Sequence, residues 1–201
     1  MIKLYFSLTV KDQNGKVRKK ITKRISHSFT KQFLQYFEAM AMHRFSAAEN
    51  GCAMQDTGNV SRTMGTAAWL VYYSYGLLGA QNSSSAGIVV GTGTNAESVS
   101  NYALQTQCTH GIGANQLQHS QQTYSTSIVV GTDVFLSTLR TFQNGSGSTI
   151  TINEIGLYVA SYEQATSTVR YICIVRDLLA AGVDILNSEI CTVQYTFKTT
   201  N

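Results

Sequence analysis

Apolar residues fall on alternate positions at the start of the chain, with Ile2, Leu4, Phe6, Leu8 and Val10 on one side and Lys3, Ser7 and Thr9 among those on the other. Asp12, Gln13, Asn14 and Gly15 supply a turn, and Val17, Ile21 and Ile25 mark a returning stretch whose intervening positions are mostly basic. This pattern predicts a β-hairpin. The period then changes. Phe29, Phe33, Phe37 and Ala41 recur every fourth residue beside Leu34 and Met40, which predicts an amphipathic helix over residues 28–44 with Ser26 or Ser28 as its N-cap. A phenylalanine stripe at that spacing serves more often as core than as a partner-binding ridge.

Residues 46–66 are small, polar and interrupted by glycine, and read as a long loop that a partner orders or a function requires. From residue 67 onward the pattern is that of strands, near 68–75, 86–91, 102–108, 122–131, 134–143, 149–159, 168–176 and 190–198, with a hairpin loop at 144–148. Several short strands at such spacing predict a mainly β protein with a β-sandwich or jelly-roll-like body. The expected organisation is a basic hairpin plus helix over 1–45, a small-residue loop over 46–66 and a sandwich body over 67–201, packed as one compact unit. Ile-Val-Val-Gly-Thr occurs at 88–92 and again at 128–132, but one short match does not establish a repeat architecture.

Composition sharpens this reading. The 201 residues suit a single domain, and charged residues are 13%, against roughly 25% in an average soluble domain. Serine, threonine, asparagine and glutamine take over much of the surface and favour strands and loops over helices. Proline is absent. No apolar run approaches the roughly 20 residues of a membrane helix, so no membrane partner is expected, and the first residues read as a strand and not as a signal peptide. The net charge of +4 is unevenly spread: residues 1–31 carry nine basic side chains against Asp12 alone. Lys16, Arg18, Lys19, Lys20, Lys23 and Arg24 are therefore candidate assembly residues, facing an acidic neighbour or another copy of the chain. The plainer reading is a solvated edge strand whose lysines block aggregation; nucleic acid ranks behind a protein partner.

Reactive constellations are scarce. Cys52, Cys108, Cys173 and Cys191 have no metal or redox spacing and read as buried free thiols, although Cys173 and Cys191 could face each other in neighbouring strands. Gly91-Thr92-Gly93-Thr94-Asn95-Ala96 fits a dinucleotide loop by pattern, yet neither a good helix nor the required acidic residue follows it, so its glycines are expected to permit a close approach of two segments. His110 and His119 have no acid or cysteine between them, His27 and His43 have no partner in view, and no nucleophile elbow accompanies His110-Gly111-Ile112-Gly113. No catalytic, cofactor-binding or metal-binding residue is expected, and the chain is read as a non-enzyme. Glu154, inside the apolar stretch 150–159, is expected to sit in a structural ion pair with Arg140 or Arg176.

The segment from Gly87 to Phe197 resembles a family of virion structural proteins of tailed bacteriophages, the capsid- or tail-associated accessory proteins. The likeness is carried by residues 87–94, by Tyr102-Ala103-Leu104-Gln105-Thr106-Gln107, by residues 110–117, by Arg140-Thr141-Phe142-Gln143-Asn144 followed by Asn153-Glu154-Ile155-Gly156-Leu157-Tyr158, and by Arg176-Asp177. It covers a little over half the chain. The resemblance implies assembly without catalysis: a decoration or accessory subunit of the virion, put together in the host cytoplasm, with phage capsid or tail proteins and copies of itself as partners. A carbohydrate- or host-surface-binding sandwich of a tail or fibre is the alternative.

Overall fold

The computed structural model describes residues 2–26, 28–41, 52–65, 76–163, 166 and 168–200. The expected strand at 68–75, both His27 and His43, and the ends of the 46–66 segment lie outside them. The described chain is mainly β, with one helix.

One sheet is built on β1 (Ile2–Lys11), β2 (Val17–Ile25), β10 (Asp133–Gln143) and β13 (Ile190–Thr200), in the order β2-β1-β13-β10. The far side of β10 is lined in turn by β7 (Gln116–His119), β8 (Thr123–Tyr124) and β9 (Ile128–Val130), and β6 (Thr109–His110) runs parallel to β7. The second sheet has β12 (Thr168–Ile185) beside β11 (Ile150–Glu163), whose other side holds β5 (Gly87–Gly91) and the hairpin of β3 (Cys52–Gln55) and β4 (Ser61–Gly65). The two sheets form a sandwich around one apolar core.

Alternation explains the core. Leu4, Phe6, Leu8 and Val10 of β1 and Cys191, Val193 and Tyr195 of β13 turn inward, meeting Ile155, Leu157 and Val159 of β11 and Ile172 and Val175 of β12. A bulge at Asn153 changes the inward parity of β11: Ile150 and Ile152 precede it, Ile155 and Leu157 follow. Glu154, Gly156 and Tyr158 are thereby turned to the outer face of the second sheet. That face is covered by residues 92–107, where Leu104 joins Val89, Tyr158 and Cys173 in a second apolar cluster.

Three expectations are corrected. Residues 52–65, expected as loop, fold into the β3–β4 hairpin, its turn closed by Asp56 Oδ1 accepting the N–H groups of Gly58 and Val60, both at 2.9 Å. Residues 102–108 are not a strand; only a bridge between Gln107 and Gly91 survives, because the segment crosses over the sheet instead of joining it. The helix begins later than expected, as α1 (Lys31–Ala41), since residues 28–30 pair with β12: the Arg176 N–H donates to Ser28 O and the Thr30 N–H to Ile174 O, each at 3.1 Å. Neither Ser26 nor Ser28 caps it. The phenylalanine stripe divides accordingly, with Phe29 and Phe33 packed on the core and Phe37 exposed. No described helix is long and apolar enough to cross a membrane.

Candidate functional site

β2 ends its sheet and β12 ends the other, apart from the pairing of residues 28–30 with Ile174–Arg176, and residues of both strands line one groove. Both are irregular there. In β12 the pairing with β11 jumps from Glu154↔Leu178 to Ile152↔Val183, so residues 179–182 are left out of the pairing, with Leu179 turned into the core. In β2 the pairing with β1 jumps from Leu8↔Ile21 to Phe6↔Arg24, and Lys23 takes a positive φ of 41° while its N–H reaches Ser7 Oγ at 3.1 Å. Between the two irregular edges lies an open groove of about 900 Å³. Lys19, Lys20, Lys23 and Arg24 form one side, Leu178, Leu179, Ala180 and Ala181 the other, and Phe6 and Asp177 lie at its base.

The six candidate assembly residues therefore separate. Four line the groove. Arg18 instead holds Glu189 through Nε and Nη2, at 2.5 and 2.6 Å, and also donates to the Asp184 carbonyl. That hydrogen bond keeps the Glu189 carboxyl below the usual range. Lys16 sits at the hairpin turn, its N–H donating to Asp12 Oδ1 at 2.9 Å. The four groove cations make no ion pair among the described residues; Glu97 and Asp177 share the groove lining with them, and the Lys23 charge also helps hold the Asp133 carboxyl below its usual range, after the hydrogen bonds from Lys198 and Thr200. Burial pushes the Asp177 carboxyl up to about 6, against the hydrogen bond from the Tyr195 hydroxyl, which favours its charged form. The Tyr195 hydroxyl donates to Asp177 Oδ2 at 2.9 Å.

Glu154 and Arg176 form a buried pair, with Arg176 Nε donating to Oε2 at 2.8 Å. Three backbone N–H groups of the covering segment also donate to this carboxylate: Gly93 at 3.2 Å, Gln105 at 3.0 Å and Thr106 at 2.8 Å. Arg176 in turn reaches the carbonyls of Asn95 and Ala96 and the side chain of Asn101. The pair is thus a clasp on residues 92–107, with its acceptor sites occupied. The dinucleotide-like glycines belong to it: a Cβ at Gly91 or Gly93 would stand 2.7 or 2.5 Å from Glu154 Oε1. Arg140 is not a partner of Glu154. It is buried, and its guanidinium donates to the carbonyls of Ser120, Ala86, Ile88, Ala80 and Ser83 at 2.5–3.1 Å, pinning the segment before β5 to β10. Burial lowers its pKa to about 10.

His110 and His119 do meet, His110 Nδ1 accepting from the His119 backbone N–H at 3.1 Å. Burial and the Arg140 charge push His119 down to about 4, a neutral ring packed edge-on to Phe142. Among the described residues no group of three His, Cys, Asp or Glu is placed to hold a metal ion. The four cysteines are buried and unbonded to one another, Cys173 and Cys191 included.

The opposite edge of the first sheet is apolar. Ile128, Val129 and Val130 of β9 are 52%, 70% and 60% exposed, and Val134 and Leu136 of β10 are exposed beside them. The one charged pair nearby, Lys198 with Asp133 at 2.7 Å, is internally neutral. Sequence reasoning missed both this edge and the groove. The signal for the groove was the Leu-Leu-Ala-Ala-Gly interruption at 178–182 within a long strand. The signal for the edge was the charge-free run Ile128-Val129-Val130 before Gly131. No protein-family model, no curated protein and no solved structure matches this chain.

Proposed function

We propose that this chain is a non-enzymatic structural component of a tailed bacteriophage particle, a decoration or accessory subunit that assembles with copies of itself on the capsid or tail surface. The observation that carries the reading is the bare apolar hairpin of β9 and β10. Among the described residues this sheet edge has no proline and no cover, and its strand β9 carries no charge; such an edge invites pairing with another chain, and soluble monomers normally suppress it. The other edge of this sheet, β2, is basic instead of apolar, so the contrast lies within one sheet. The residues behind the phage resemblance support the same reading. Gly91, Gly93, Gln105, Glu154 and Arg176 meet in the clasp and Arg140 is spent on carbonyls, which leaves their function in holding the body together. The exposed aromatics, Phe37 and Tyr124 among the described residues, sit on different elements and offer no paired stacking face for a sugar.

Sedimentation velocity at micromolar concentration tests this. The wild-type chain is expected to self-associate, and Val129→Lys, which places a charge on the bare edge, to return it to monomer without lowering its melting temperature. Association through an apolar edge is also expected to persist in roughly 1 M salt, where charges are screened within about 3 Å. A strict monomer at all concentrations would count against self-assembly.

A further inference from the structure

We infer that the groove between β2 and β12 is a receptor for an extended, acidic segment of a different protein, docked alongside β2. This concerns another face of the molecule and stands whether or not copies pair through β9. Three features specify the occupant. First, β2 pairs only with β1, so among the described residues the backbone groups on its outer edge are free to take an added strand. Its stretch from Lys19 to Ile25, irregular at Thr22 and Lys23, spans less than the roughly 20 Å of a regular strand at about 3.3 Å per residue, room for about five extended residues. Second, Lys19, Lys20, Lys23 and Arg24 lack intramolecular ion-pair partners among the described residues, and they outnumber the two carboxylates in the groove. Third, the opposite side is apolar, formed by Leu178, Leu179, Ala180 and Ala181. An extended chain alternates its side chains between two directions. One that alternates acidic with apolar residues would pair its carboxylates with the lysines and lay its apolar side chains on the facing wall.

The same features disfavour the competitors. The apolar wall gives a nucleic-acid backbone nothing to bind, whereas it offers a surface to the apolar side chains of a peptide. A second copy of this chain is a poor donor as well. Its eleven acids are scattered singly, and Asp56, Asp133, Glu154, Glu163 and Glu189 already hold basic partners.

The test uses the full chain and a labelled peptide, Glu-Val-Glu-Leu-Glu-Val-Glu, beside its counterpart with Gln in place of Glu and a single-stranded oligothymidylate. Fluorescence anisotropy is expected to show the acidic peptide binding about tenfold or more tightly than the Gln peptide to the wild-type chain, with the difference shrinking as salt rises. The four-site variant K19Q/K20Q/K23Q/R24Q is expected to lose that preference. Ala180→Trp, which fills the groove and leaves every charge in place, is expected to lose binding of the acidic peptide. Equal binding of the two peptides to wild type overturns the inference without reference to any variant's folding. Retained binding by Ala180→Trp overturns it by placing the peptide elsewhere, and tighter binding of the oligothymidylate overturns it in favour of nucleic acid. None of these outcomes bears on sedimentation of the Val129→Lys variant, so the two readings fail separately.

Discussion

Asp177 and His119 are both held out of water, and their protons respond in opposite directions. Burial raises Asp177 from 3.8 to about 6, so the folded state holds a proton that the unfolded chain releases. Its contribution to stability is fully present below pH 4 and is lost as pH rises through 6. Burial lowers His119 from 6.5 to about 4, so the unfolded chain takes up a proton that the folded state refuses. That contribution is present above pH 6.5 and lost as pH falls toward 4. In the wild-type chain the two slopes oppose each other. Asp177→Asn keeps an acceptor for the Tyr195 hydroxyl and removes one slope. The variant's melting temperature is expected to climb from pH 4.5 to 6.5 where the wild-type profile is flatter, with a gain of about 1–2 kcal/mol at pH 8. Thermal melts of both chains across this range decide it, and parallel profiles would contradict the assignment. The residue types were legible in the sequence, but neither site was, because their positions depend on which face each strand turns inward.

The covering segment 92–107 shows how an element can be held by a side chain far along the chain. Glu154→Gln replaces an acceptor of three backbone N–H groups with an amide whose own N–H₂ competes with them, and leaves the Arg176 charge buried without a counterion. Breaking one side of a buried pair costs about 3–5 kcal/mol. The variant is expected to lose stability on that scale in urea. Amide exchange at Gly93, Gln105 and Thr106 should accelerate more than exchange in the β1–β13 pair. Unchanged protection at those three amides would mean the segment is held by Leu104 and its apolar neighbours alone. The same region marks a limit of pattern reading. Tyr102, Leu104 and Thr106 alternate like a strand, yet the backbone groups of this segment are claimed by Glu154 and by the Tyr158 hydroxyl, which accepts from the Leu104 N–H at 2.6 Å. The choice of Arg176 over Arg140 as the partner of Glu154 rests on the Asn153 bulge, which leaves no mark in residue order. β1, β10 and β13 were legible because each has one buried and one wetter face, whereas β2 was legible from its turn and apolar spacing although Val17 and Ile25 are exposed. The β3–β4 hairpin was not, because Ser61–Gly65 shows little apolar alternation, with Met64 as its buried side chain.

At the scale of the molecule, the mainly β class follows from composition and alternation, whereas the groove depends on topology: nothing local to β2 or β12 says that the two strands line one groove. That topology also governs how the chain folds. β1 pairs along its whole length with β13, from Ile2↔Thr199 to Lys11↔Ile190. Joining strands so distant in sequence incurs loop-closure entropy before any contact rewards it, which slows folding. Since the chain has no proline, none of that slowness comes from prolyl isomerisation. In double-jump refolding the slow amplitude is expected to be independent of the time spent unfolded, and growth of that amplitude over tens of seconds would contradict this. During synthesis, at roughly 5–20 residues per second, β1 emerges on the order of 10–40 s before β13. Through that interval Leu4, Phe6, Leu8 and Val10 lack their final partner, and β2 is the neighbour within reach. Exposed charges along β2 disfavour strand pairing between half-finished sheets, and four of them, Lys19, Lys20, Lys23 and Arg24, are the ones that line the groove in the folded chain.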